Sequence, residues 1–137
     1  MAKAPSTKSP NEDRSDIAII GMSCLLPGAS TPEAFAQFLV SKGSGIIEVP
    51  KDRWAIANYY DPNRDNGFAT YSKIGGFVRD YEFPSLKFRI PPKVAASMDS
   101  AQQWAVSLAS SALIDAGYGP DKDFDRTRVG VVLGNSM

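Results

Sequence analysis

The spacing of hydrophobic residues changes along the chain, and each spacing predicts a different element. Residues 17–20 (Ile-Ala-Ile-Ile) form a continuous apolar run closed by Gly21, which is typical of a strand buried on both faces in a parallel sheet. Residues 129–133 (Val-Gly-Val-Val-Leu) form a second such run before Gly134. We therefore predict two buried strands, one near each end of the chain.

A first helix is predicted after Thr31, a capping residue followed by proline at the first helical position. Its apolar face consists of Phe35, Phe38 and Leu39, which recur at helical spacing. Gly43 is predicted to end the helix in the left-handed conformation. The succession of strand, turn and helix between residues 16 and 43 predicts an α/β fold class.

A second, longer helix is predicted to begin at Asp99 or Ser100, with Gln102 or Gln103 as the return partner of a capping box, and to end at Gly117. Alanine is the commonest residue of its apolar stripe, which predicts close packing against a neighbouring helix or sheet. The stripe contains Ala101, Trp104, Ala105, Leu108, Ala109, Ala112, Leu113 and Ala116.

The segment between these helices, residues 46–84, is rich in aromatic residues, Gly, Pro, Asn and Asp, without a sustained period. We predict a long irregular surface segment that packs onto the domain through its aromatic rings, with a short hairpin around residues 71–78. Residues 1–15 contain no hydrophobic anchor, and we predict that they form a disordered lead-in to residues 16–137, which are expected to be the incomplete N-terminal portion of a domain.

The amino-acid composition of the chain argues against several classes of function. The 137 residues carry 15 Lys and Arg against 15 Asp and Glu, so no net field favours nucleic acid or an anionic membrane. The N-terminus lacks the apolar core of a signal peptide, and no apolar run approaches the ~20 residues of a membrane span. We therefore expect a cytoplasmic protein with neither nucleic acid nor membrane as a partner.

The chain has no histidine and one cysteine, Cys24. A Ser-His-Asp or Cys-His site cannot be assembled from these residues alone, because no imidazole is present to act as the base. A disulfide within the chain and a zinc cluster are excluded by the same count, and no metal site is predicted. Since the residues after Cys24 are apolar, we interpret it as a structural cysteine and not as a nucleophile.

Three short motifs contain residue types that occur at binding or catalytic sites. Residues 21–24 follow a predicted strand, but the next glycine is Gly28, so the dinucleotide-binding spacing is not met. In residues 51–54 (Lys-Asp-Arg-Trp), the favoured interpretation is that Arg53 pairs with an acidic neighbour and Trp54 packs the loop down; the alternative is a grip on an anionic substrate. Residues 134–136 (Gly-Asn-Ser) either present polar groups to a ligand or form a plain turn, and both interpretations stay open.

Taken in order, eight short runs resemble the start of a β-ketoacyl synthase (ketosynthase) domain of polyketide and multidomain fatty-acid synthases. They are residues 16–29 (DIAIIGMSCLLPGA), 31–35 (TPEAF), 49–54 (VPKDRW), 59–62 (YYDP), 75–77 (GGF), Met98-Asp99 with Gln102, 112–117 (ALIDAG) and 128–134 (RVGVVLG). Two departures stand out: Ser100 replaces the usual Pro, and residues 86–93 (LKFRIPPK) replace the Phe-Phe-Gly-Ile-Ser-Pro pattern of modular polyketide synthases. The Ile-Pro-Pro form is more similar to iterative polyunsaturated fatty-acid synthases.

The resemblance implies the N-terminal part of a thiolase-like, αβαβα-layered fold. It also implies an acyltransferase of the 3-oxoacyl-carrier-protein synthase type, whose Cys accepts an acyl group from a carrier protein's phosphopantetheine arm. Two His residues then support decarboxylative condensation with a malonyl thioester. The resemblance places that Cys and both His beyond Met137, so this chain is expected to hold no catalytic residue, bind no cofactor directly and be inactive alone. Ser136 and Met137 are the candidates for the wall of the substrate channel.

The implied partners are the remainder of the ketosynthase domain, the acyl carrier protein, other synthase domains and a second copy in a homodimer. We expect Met137 to be a cut within a domain, and residues 1–137 expressed alone to be insoluble or unfolded. One alternative is a non-catalytic, ketosynthase-like partner subunit or scaffold, which lacks the nucleophile. Another is an independent binding module that shares only this α/β opening.

Overall fold

The computed structural model describes residues 16–135. The predicted disorder of residues 1–15 therefore lies outside the described residues, as do Ser136 and Met137. In chain order the elements are α1 (Pro32–Val40), β1 (Ile46–Glu48), α2 (Ile56–Tyr59), β2 (Ile74–Gly76), a 3-10 helix at Ser85–Phe88, α3 (Pro92–Ala95), α4 (Ser100–Asp115) and a second 3-10 helix at Arg126–Arg128.

Helix α1 begins where the sequence predicts but ends differently. The Thr31 Oγ1 atom accepts a hydrogen bond of 3.1 Å from the Ala34 N–H, as expected of a capping residue. The left-handed residue at the C-terminus is Lys42 (φ 58°) and not Gly43, so that prediction was wrong. The Gly43 N–H instead donates to the Phe38 carbonyl at 2.9 Å, and a Cβ on Gly43 would lie 2.6 Å from Phe38 Cδ2. Glycine is needed there for space, not for its backbone angle.

Helix α4 confirms the predicted capping box. The Asp99 Oδ1 atom accepts from the Ala101 N–H at 2.7 Å, and Gln102 Oε1 accepts from the Asp99 N–H at 3.3 Å. The helix stops at Gly117, which has φ 81°, the left-handed conformation that glycine adopts without strain. Both ends of α4 are therefore determined by local sequence.

The strands form one antiparallel pair among residues 16–135, with Ile46 opposite Gly76 and Glu48 opposite Ile74. The predicted hairpin around residues 71–78 was partly wrong. Strand β2 does lie there, but its partner is β1, which comes before the intervening turns and α2. The pair is extended by a hydrogen bond of 2.9 Å from the Val49 N–H to the Lys73 carbonyl. The rest of residues 46–84 is largely irregular, as predicted.

The two apolar runs predicted as buried strands are not strands in the described structure. Residues 17–20 and 129–133 form no ladder with any other described residue, and Ile17 and Val132 are each 96% exposed. Apolar, largely β-branched runs favour an extended chain, but a strand also needs a neighbour to accept its backbone hydrogen bonds. The sequence pattern predicts the extended chain, but it does not identify the neighbouring strand.

Buried hydrophobic residues are few within residues 16–135: Ala29, Val49 and Ala95 form the core. The alanine stripe of α4 is mostly half-buried, with Leu113 more open than the alanines. Within the same residues, no helix has both the length and the apolar character needed to cross a membrane. Helix α4 is the longest described element. The N-terminal turn and the aromatic segment are both positioned against it.

Candidate functional site

The turn at residues 21–23 is fastened to the C-terminal half of α4. The Met22 N–H donates to Asp115 Oδ2 at 2.8 Å, and Ser23 Oγ donates to the Leu108 carbonyl at 2.8 Å. A Cβ on Gly21 would overlap the Ala112 carbonyl oxygen and lie 2.7 Å from the Ala116 N atom. Gly21 therefore serves close packing against a helix, in agreement with the interpretation that this turn is not a dinucleotide-binding loop.

Cys24 is half-buried beside a cavity of about 410 Å³ between this turn, the start of α1 and α4. The described residues around the cavity include hydroxyls and carboxylates but neither lysine nor arginine. They are Met22, Ser23, Cys24, Leu25, Ser30, Thr31, Pro32, Glu33, Tyr81, Ser107, Leu108, Ser111, Ile114 and Asp115. Thiolate formation is favoured by nearby positive charge, so this setting supports the interpretation of Cys24 as a structural residue.

The N-terminal half of α4 holds the aromatic segment. The Tyr81 hydroxyl lies 2.6 Å from Ser107 Oγ, and its ring packs edge-to-face against Trp104 with centroids 6.5 Å apart. Gln103 Nε2 donates to the Ala95 carbonyl at 2.9 Å, which ties α3 to the same stretch of helix. Trp104 is thus a packing anchor, as the sequence indicates, and the aromatic segment lies against the domain.

The motif at residues 51–54 makes structural contacts, although not the predicted ones. The acidic partner is Asp52, which accepts a hydrogen bond of 2.8 Å from Arg79 Nη1, and this hydrogen bond lowers the pKa of the Asp52 carboxyl. Arg53 was predicted to pair with an acidic neighbour; instead its Nη2 donates to the Val78 carbonyl at 3.4 Å. Trp54 packs edge-to-face on Tyr59 at 6.0 Å. The motif at residues 51–54 therefore makes structural contacts, as the sequence favours. Its charged residue in an ion pair is Asp52, paired with Arg79, and not Arg53.

The loop that follows α2 contains acidic and amide side chains that satisfy one another. The Asp61 carboxylate accepts from Asn66 Nδ2 at 2.9 Å and from the Asn63 N–H at 2.8 Å, and the Asn66 hydrogen bond is the larger cause of its lowered pKa. Among residues 16–135, no three His, Cys, Asp or Glu side chains come close enough to hold a metal ion. The Asp61 carboxylate therefore acts as a local turn acceptor.

A groove of about 920 Å³ brings the two apolar runs near each end of the chain to the same side of α4. We call it the α4 groove. The sequence predicts each run and the alanine stripe, but it carries no signal that the three meet. The groove is lined by residues 17–21, Ala112, Leu113, Ala116, Tyr118, Phe124, Asp125, Arg128, Val129 and Gly130. Most of the side chains that line it are apolar.

The predicted channel residues Ser136 and Met137 lie outside the described residues, so their role stays a prediction. The two residues before them, Gly134 and Asn135, are exposed and belong to no helix or strand. A Cβ on Gly134 would meet no atom within 4 Å. This geometry fits both interpretations of the motif at residues 134–136, and neither gains support over the other.

Comparison with known proteins gives a consistent result over nearly all of the chain. The family model described as "Beta-ketoacyl synthase, N-terminal domain" matches residues 14–137. The chain is 38% identical over 120 residues to polyketide synthase PksM of Bacillus subtilis, covering 87% of this chain and 3% of that protein. It is 39% identical over 107 residues to the pikromycin polyketide synthase component PikAIII of Streptomyces venezuelae, covering 76% of this chain and 7% of that protein.

A solved structure gives the same picture. The ketosynthase from module 6 of the bacillaene synthase of Bacillus subtilis superposes with a TM-score of 0.65 and 34% sequence identity. The match covers 74% of this chain and 17% of that one. The chain thus spans less than a tenth of these curated relatives and about a sixth of the solved ketosynthase.

Proposed function

This chain belongs to the β-ketoacyl synthase family, and we propose that it forms the opening part of a condensing domain in a polyketide or fatty-acid synthase. The predicted fold class is confirmed, because its structural neighbours are ketosynthase domains, which have the thiolase-like α/β fold. The predicted resemblance to the start of a ketosynthase is confirmed by the same match.

The observation that carries this proposal is the match to the N-terminal domain across residues 14–137. The α4 groove supports it physically. Ile17, which lines the groove, and Val132, in the second apolar run, are almost fully exposed, and apolar surface left in water is unfavourable by about 25 cal/mol per Å². We propose that the remainder of the ketosynthase domain covers the α4 groove and supplies backbone partners to residues 17–20 and 129–133.

The reaction proposed for the complete domain proceeds in two stages. A downstream Cys thiolate attacks the carbonyl of an acyl thioester on a carrier protein, and the phosphopantetheine thiol leaves. A malonyl thioester then loses carbon dioxide, and the resulting carbanion attacks the acyl-enzyme and releases the Cys thiolate, which gives a β-ketoacyl product. Two downstream His residues are proposed to stabilise the enolate and oxyanion that develop. The proposed nucleophile is not Cys24, whose cavity offers no cation or imidazole.

The proposed contribution of this chain is scaffold. The C-terminal half of helix α4 holds the N-terminal turn, and its N-terminal half holds the aromatic segment. Ser136 and Met137 are proposed to reach the wall of the substrate channel. The acyl carrier protein, the other synthase domains and a second copy of the domain are the proposed partners, and the cytosol is the proposed location.

The test uses the complete protein that contains this chain. We expect its sequence beyond residue 137 to carry a Cys on a tight strand-to-helix turn and, later, two His residues. Replacing that Cys by Ala is expected to abolish both acyl transfer and β-ketoacyl formation, followed by mass spectrometry of the carrier-bound product. The matched control is Cys24→Ser, which keeps side-chain volume and is expected to retain wild-type turnover.

Two outcomes would contradict the proposal. A residue other than Cys at the downstream turn, with no condensation, favours the non-catalytic partner subunit. A soluble monomer of residues 1–137 that unfolds cooperatively favours the independent binding module, since the open apolar face would then need no cover.

A further inference from the structure

We draw no further inference here: the strongest candidate, the hydroxyl-lined cavity of about 410 Å³ between the N-terminal turn, the start of α1 and α4, is open in a chain that spans 17% of the matched ketosynthase, and nothing in the described residues shows what covers it.

Discussion

Replacing Gly21 by alanine tests whether the N-terminal turn is fixed by its contact with α4. The added Cβ would overlap the Ala112 carbonyl oxygen and lie 2.7 Å from both the Ala116 N and Cβ atoms. These are atoms of the helix backbone and of its last turn, so they cannot rotate away as the end of a flexible side chain could. Either the turn moves or the helix deforms.

Both routes lead to a similar loss of stability. Overpacking a close contact costs about 1–3 kcal/mol when the structure absorbs the extra methyl group. If the turn moves away instead, the hydrogen bonds from Met22 to Asp115 and from Ser23 to Leu108 are lost, at about 1 kcal/mol each. We therefore expect Gly21→Ala to lower the free energy of unfolding by about 2 kcal/mol, which is about a 30-fold change in the folding equilibrium.

The assay is urea unfolding of the complete ketosynthase domain, followed by tryptophan fluorescence, with the midpoint compared at constant m value. Gly67→Ala is the control, because no atom lies within 4 Å of its added Cβ and its φ is not positive. Gly67→Ala should be neutral or slightly stabilising, by up to about 1 kcal/mol, since it restricts the unfolded chain. A Gly21→Ala midpoint indistinguishable from that of Gly67→Ala would refute the packing argument.

Two further predictions concern local contacts. Asp99→Ala removes the capping box of α4 and is expected to destabilise the domain by about 1 kcal/mol in urea unfolding. For Asp52, the hydrogen bond from Arg79 lowers the pKa of the carboxyl below its ordinary value of 3.8. The stabilisation that this contact provides is therefore present above pH 3.8 and is lost as the pH falls through the lower pKa of the folded state. Arg79→Gln is therefore expected to move the pKa of Asp52 up toward 3.8 in a carboxyl NMR titration, and to reduce stability only above the folded pKa.

Each of these predictions has an internal control. Ser111→Ala changes an exposed position within α4 and should be neutral or slightly stabilising, because alanine has the higher helix propensity. A loss in Ser111→Ala equal to that in Asp99→Ala would show that the cap is not the cause. In the NMR titration, the pKa of Asp61 should stay lowered in the Arg79→Gln variant, because its cause is the Asn66 side chain. An unchanged pKa of Asp52 in that variant would contradict the assignment to Arg79.

The parts of the fold that sequence predicts well are those determined within a few residues. The cap at Thr31, the capping box at Asp99 and the stop at Gly117 depend on neighbours no more than five residues away. Even this local prediction failed at the end of α1, where the left-handed residue is Lys42 and not the predicted Gly43. The sequence offers glycine as the natural left-handed residue, but the space taken by the Phe38 ring places glycine one position later.

Contacts between distant residues were not predictable from one sequence. The apolar runs at residues 17–20 and 129–133 indicate burial, but the identity of a strand's neighbour depends on the whole sheet. Likewise, the hairpin predicted around residues 71–78 covers β2, yet the partner of β2 is β1, which lies beyond α2 and several turns. For the candidate site, the expected chemistry came from the family resemblance. The absence of histidine excluded a Ser-His-Asp or Cys-His site built from this chain alone. The meeting of three apolar segments in the α4 groove came from the structure alone.

The hydrogen bond between Met22 and Asp115 also bears on how the protein is synthesised. The two residues are 93 positions apart in the chain. At a translation rate of roughly 5–20 residues per second, Asp115 is made about 5–20 s after Met22. During that interval the turn that follows the apolar run at residues 17–20 lacks the two hydrogen bonds that fasten it to α4. Because Ile17 is still 96% exposed with α4 in place, the aggregation hazard of this run lasts until further chain covers it, well after α4 has been made.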